Sequence, residues 1–315
     1  MNVWKGGLFR LMICASFVAA IGLATSVPRA QEPADESWRT GPPQPAPPPQ
    51  IMIVGMPPTP EGRIVPLGAG FPAGAPAPYA PAGAPAPSAD KRDLSGVWQN
   101  TNFVIPPWTT VEGEPLPYTA EGQSILLHRV DMATTGQSVI SSTYVCRPGG
   151  LLNDLNFSAP IEIAQSDDTL AIMVEEGRGL HTIRLGGTHP DRIVPTFSGD
   201  AIGYWEGDTL VVDVVGFNDE TNVDWAGSPH SDQMHVILRM TRVNLGGPYE
   251  DLRVLITVDD PVYYSKPWSV LKTFRWRPDL APSEFDCEGG DIPENRDGMR
   301  LENPALITGE REGRR

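Results

Sequence analysis

From Asp93 onward, apolar residues come in short runs separated by Gly, Pro, Asp and Asn. Residues 94–99, 160–165, 169–175, 180–185, 201–205, 209–216, 233–243, 250–258 and 268–276 each read as a strand. Only residues 120–130 suit a helix, with Thr119 as N-cap and Leu126 and Leu127 on one face. Glu206-Gly207-Asp208 is a turn between two β-rich arms, and Ser166-Asp167-Asp168 joins another adjacent pair. Short strands at intervals of about ten residues, joined as hairpins, predict an all-β domain built as an antiparallel meander, either a sandwich or a barrel.

Alternation along the strands sorts the polar groups. In the strand 233–243, Met234, Val236, Leu238 and Met240 form a wholly apolar face, which predicts a core. His235, Ile237, Arg239 and Thr241 share the other face, with two strong polar groups on it. Asp213 stands among the valines of the strand 209–216 and is a candidate partner for His235 or Arg239. Just upstream, Asp224-Trp-Ala-Gly-Ser-Pro-His230-Ser-Asp232 holds a second histidine flanked by aspartates. Histidine is the natural acid or base near neutral pH, so His230, His235, Arg239, Asp232 and Asp213 are the candidate catalytic residues.

The spacing His-x4-His is not a zinc signature. A metal would need a third ligand from elsewhere, such as His189 or Glu175. Glu175 is also a possible cross-strand partner of Arg184. No glycine-rich phosphate loop, Gly-x-Ser-x-Gly elbow or His-Glu-x-x-His motif is present, and the sequence points to no cofactor.

The rest of the chain reads differently. About half of the 34 prolines fall in residues 31–92, a Pro/Ala-rich stretch too poor in apolar surface to form a core and read as a disordered linker. Residues 1–30 read as a signal peptide. Lys5 and Arg10 precede a thirteen-residue apolar run at 11–23, short of the roughly twenty needed to span a bilayer. Residues 93–315 then form one domain, periplasmic or secreted and not inserted in a membrane after cleavage. A net charge of -15 argues against nucleic acid as a partner. With Cys14 removed in the leader, Cys146 and Cys287 are the two cysteines left to pair in an oxidising compartment.

Of the eight tryptophans, Trp98, Trp205, Trp225 and Trp268 fall at strand ends or turns, where they could line a cavity mouth for an apolar ligand. Asp93-Leu-Ser-Gly96-Val-Trp98 resembles the Gly-x-Trp opening of lipocalin-like barrels. A wider set covers most of residues 93–295: His189-Pro190, Gly203-Tyr-Trp-Glu-Gly-Asp-Thr-Leu-Val-Val-Asp213, Val215-Gly-Phe217-Asn218, Gly227-Ser-Pro-His230-Ser-Asp232, His235-Val236, Asp260-Pro261 and Lys266-Pro-Trp268. It is similar to a family of exported bacterial hypothetical proteins. The resemblance implies a secreted β-barrel with a shared site and no set reaction. That family carries Glu-Arg after the His-Val pair, whereas this chain has Leu238 and Arg239.

Two functions compete. One is a lipocalin-like barrel that binds a small apolar or aromatic molecule in an internal cavity. The other is an acid/base enzyme, an isomerase, lyase or hydrolase. There His235 or His230 would move a proton, oriented by Asp232 or Asp213, and Arg239 would stabilise an oxyanion or carboxylate. A third reading is a structural module held away from a partner by the Pro-rich segment.

Overall fold

The computed structural model describes residues 78–101, 108–134, 147–175 and 179–283. The proposed leader, most of the Pro/Ala-rich stretch, Cys146 and Cys287 lie outside them. All nine expected strands are present: β1 (Gly96–Asn100), β2 (Pro160–Gln165), β3 (Thr169–Val174), β4 (Gly179–Leu185), β5 (Asp200–Glu206), β6 (Thr209–Val215), β7 (His235–Val243), β8 (Asp251–Asp259) and β9 (Trp268–Trp276). They close into a barrel in sequence order, with β9 returning to β1 through Trp98↔Trp276.

A closed ring with an odd number of strands cannot alternate direction all the way round. One neighbouring pair must run parallel, and it is β4 and β5, joined only through Ile183, Arg184 and Leu185. This departs from the expected antiparallel meander. After β4, residues 186–199 must travel back along the barrel before β5 starts. Such a crossover resembles a long polar loop in the sequence and carries no periodic signal.

Alternation fixes the interior. Trp98, Ile161, Ile163, Leu170, Ile172, Ile183, Leu210, Val212, Val214 and Phe274 point into one continuous core. The predicted apolar face of β7, Met234, Val236, Leu238 and Met240, joins them. Gly96 shows why the first strand opens with Gly-x-Trp. Its φ is 128°, and a Cβ there would lie 2.2 Å from the Trp276 ring.

One end of the barrel is strapped by the chain that precedes β1. Carbonyls of Ala84, Pro85 and Ser88 accept hydrogen bonds from Tyr249, Trp276 and Arg242 at 2.7, 2.7 and 2.6 Å. The domain's contacts thus begin upstream of Asp93. The other end is closed by loops, by α1 (Ala120–Thr134) and by the short α2 (Leu151–Asn156). Thr119 caps α1 through a 3.1 Å hydrogen bond from the Gly122 N–H. Leu126 is buried while Leu127 is exposed, since consecutive helical residues point about 100° apart. Every residue of α2 is buried, so this single helical turn plugs the barrel end. Asn100 on β1 holds it by donating to the Asn156 carbonyl at 2.9 Å. Among the described residues no helix is long and apolar enough to cross a membrane.

Candidate functional site

The parallel seam leaves an opening in the barrel wall. Upstream of Ile183, β4 has no β5 residue paired beside it, and the end of the crossover occupies that space. A pocket of about 260 Å³ lies there. Its floor is core: Leu151, Ile183, Ala201, Val212, Val214 and Leu238. Its polar wall includes His181, Thr196 and Ser198.

His181 occupies an inward position of β4, in phase with Gly179, Ile183 and Leu185. Its ring is held from both sides. Nε2 lies 2.9 Å from Asp154 Oδ2 on the plug helix, and Nδ1 lies 3.0 Å from Ser198 Oγ on the crossover. Gly179 makes room for this contact, because a Cβ at that position would sit 2.3 Å from the Asp154 carboxylate oxygen. Burial pushes the Asp154 carboxyl above the ordinary carboxylate range, and the hydrogen bond from His181 pulls it part of the way back. Asp154 and His181 are both fully enclosed, whereas Ser198 is half-buried on the pocket wall. The arrangement is a hydroxyl, an imidazole and a carboxylate in line, with the hydroxyl at the open side.

A second polar chain runs on the outer face, across the same seam. Arg184 holds Asp200 with two 2.8 Å hydrogen bonds. His189 Nδ1 lies 2.6 Å from Asp200, and its Nε2 lies 3.4 Å from Asp213. Asp213 in turn meets His235 Nε2 at 2.8 Å. The Arg184 hydrogen bonds, aided by His189, depress the Asp200 pKa from 3.8 to about 2. At Asp213 burial works upward, but the hydrogen bond and charge of His235, with a contribution from His189, hold the carboxyl below the usual range. Because the Asp200 pKa is lowered on folding, its contribution to stability is present above pH 3.8 and is lost as pH falls toward about 2. Asp200→Asn should therefore cost roughly 1 kcal/mol at neutral pH, as befits a partly exposed ion pair. Its urea midpoint should converge on that of the wild type as the pH drops through this window.

The expected catalytic residues are only partly brought together. His235 and Asp213 do meet, on the outer face. Arg239 lies four residues further along β7, about 13 Å away, and pairs with Glu206 at 2.5 Å. His230 sits in the capping loop, 2.7 Å from Thr221 Oγ1. Burial lowers its pKa below the ordinary histidine value. Asp232 is exposed on the turn before β7. Arg184 pairs with Asp200 rather than with Glu175, whose carboxylate accepts from the Ser283 N–H. Among the described residues no group of three or more His, Cys, Asp and Glu is placed to hold a metal ion.

Trp98, Trp205, Trp225 and Trp268 do not line the pocket. Trp98 is fully buried, with its indole N–H on the Leu94 carbonyl at 2.9 Å and its ring edge-on to Trp276. Trp268 packs against Trp108 and Tyr264, and Trp225 stacks on Phe157 at 5.4 Å. Trp205 is half-buried near the strapped end, with Arg92 at 6.0 Å from its ring.

Sequence reasoning passed over Asp154, His181 and Ser198. One signal was available: the parity of β4 places His181 among inward apolar positions, where a lone imidazole requires partners. No family model matches this chain, and none of the curated proteins compared with it does.

Proposed function

We propose that this chain is an exported β-barrel that binds a small, largely apolar molecule in the pocket at the β4–β5 seam. One observation carries the reading: an apolar floor formed by core residues meets a polar wall of His181, Thr196 and Ser198 at a break in the barrel. Binding sites commonly combine apolar lining with a few placed polar groups. At about 260 Å³ the space falls just below the 300–1,000 Å³ usual for drug-sized ligands, which favours a fragment-sized occupant. Leu238, where the resembled family carries glutamate, belongs to the same floor. An apolar side chain there suits an uncharged ligand.

The test uses acetophenone, an apolar aromatic whose carbonyl can accept a hydrogen bond from the polar wall. Saturation-transfer NMR should detect its binding to the wild type. Ala201→Leu, which adds bulk to the pocket floor, should remove the signal while the circular-dichroism melting curve stays cooperative. Equal binding to both proteins would place the ligand elsewhere and sink the assignment.

A further inference from the structure

The pocket wall holds more chemistry than simple carriage requires. The Ser198 hydroxyl, the His181 ring and the Asp154 carboxylate are linked by hydrogen bonds of 3.0 and 2.9 Å, and they come from three separate elements. We propose that Ser198, His181 and Asp154 give this pocket an ester-hydrolysing activity toward small, uncharged, apolar esters. The inference rests on the ligand-binding reading, because the ester must occupy the same space.

Each residue has a role set by its surroundings. Asp154 is a positioning residue. Buried on the plug helix, it accepts the Nε2–H of His181 and so fixes the tautomer that leaves Nδ1 free to accept a proton. His181 is the base, and Ser198 is the nucleophile at the open side of the pair. The order of nitrogens is the reverse of the familiar serine-protease arrangement, but the relay needs only one imidazole nitrogen on each partner. Thr196, on the same wall, donates its hydroxyl to the Gly199 carbonyl at 3.2 Å and would exchange that bond for one to the developing oxyanion.

The step balances as acyl transfer. Ser198 Oγ bonds to the ester carbonyl carbon as its proton passes to His181 Nδ1. The carbon–oxygen bond to the alcohol breaks, and the alcohol leaves with that proton. Water then attacks the acyl carbon, giving a proton to His181. The bond to Oγ breaks, Ser198 takes the proton back, and the carboxylic acid departs. Apolar walls hold the acyl group, and among the described residues no Lys or Arg lines the pocket, which disfavours substrates that carry a carboxylate.

The experiment treats the exported full chain with diisopropyl fluorophosphate, followed by intact mass and peptide mapping. The expected result is one phosphoryl adduct on Ser198, formed with loss of fluoride and of the hydroxyl proton. His181→Gln should slow its formation by at least about 100-fold. Phenyl acetate hydrolysis should fall by a similar factor in Ser198→Ala, with an unaltered melting curve. Modification of any other residue, or hydrolysis equal in Ser198→Ala and wild type, would overturn the proposal. So would an unmodified Ser198 in a protein that binds acetophenone, and in that case the binding reading stands. If acetophenone also fails to bind, both readings fall together.

Discussion

Asp224→Ala will be among the most destabilising single changes in this protein, at a cost of about 3–6 kcal/mol. Asp224 is fully buried in the loop that caps the plugged end. Its Oδ1 accepts the backbone N–H groups of Ala226 and Ser228, each at 3.0 Å. Its Oδ2 accepts the Trp108 N–H at 3.1 Å and the Ser228 hydroxyl at 2.6 Å. Alanine leaves three buried N–H groups without acceptors, and each orphaned group costs on the order of 1–3 kcal/mol. Set against a typical domain stability of 5–15 kcal/mol, that loss is large. Asp224→Asn keeps one acceptor oxygen and should fall between alanine and wild type. Urea denaturation at neutral pH measures both, and an unmoved midpoint in Asp224→Ala would mean that the loop is held by other contacts.

The second large effect depends on pH. Lys272 points into the barrel from β9, buried, with Nζ donating to Asn156 Oδ1 at 2.5 Å and lying 4.6 Å from the centre of the Trp108 ring. Burial lowers its pKa from 10.5 to about 7, although the charge of Asp224 works the other way. Between those two values the unfolded chain holds a proton that the folded chain has released, so stability rises with pH across the interval. The gain from about pH 7 to about pH 9 should be roughly 2 kcal/mol. Lys272→Met removes the titrating group and should flatten this rise. A wild-type profile no steeper than that of the variant would show that the amine stays charged inside the barrel.

The strands were legible because their period of two survives in the sequence wherever one face is buried. In β7, Met234, Val236, Leu238 and Met240 enter the core as their spacing requires. The pairing of His235 with Asp213 was also within reach, since both stand on the outward faces of adjacent strands. The parallel seam was not legible. Direction is a property of the whole ring, and the 186–199 crossover has no local pattern of its own. For the same reason the Ser198–His181–Asp154 line escaped notice, as its members lie 17 and 27 residues apart and meet only once the crossover and the plug helix are in place. A residue at a strand end can turn inward as readily as toward a cavity mouth. Trp98 and Trp268 turned inward.

The lone parallel pairing also bears on how such a barrel can diversify. Eight of its nine strand pairings are antiparallel ladders, and substitutions or insertions within them would disturb register along the wall. The crossover meets the wall through a single bridge, Thr196↔Phe217, rather than a ladder, and doubling the length of a flexible connection costs only about 0.6 kcal/mol. Changes in residues 186–199 can therefore reshape one wall of the pocket while the ladders keep the scaffold fixed, so under the proposed binding function ligand preference would drift in descendants of this chain faster than architecture.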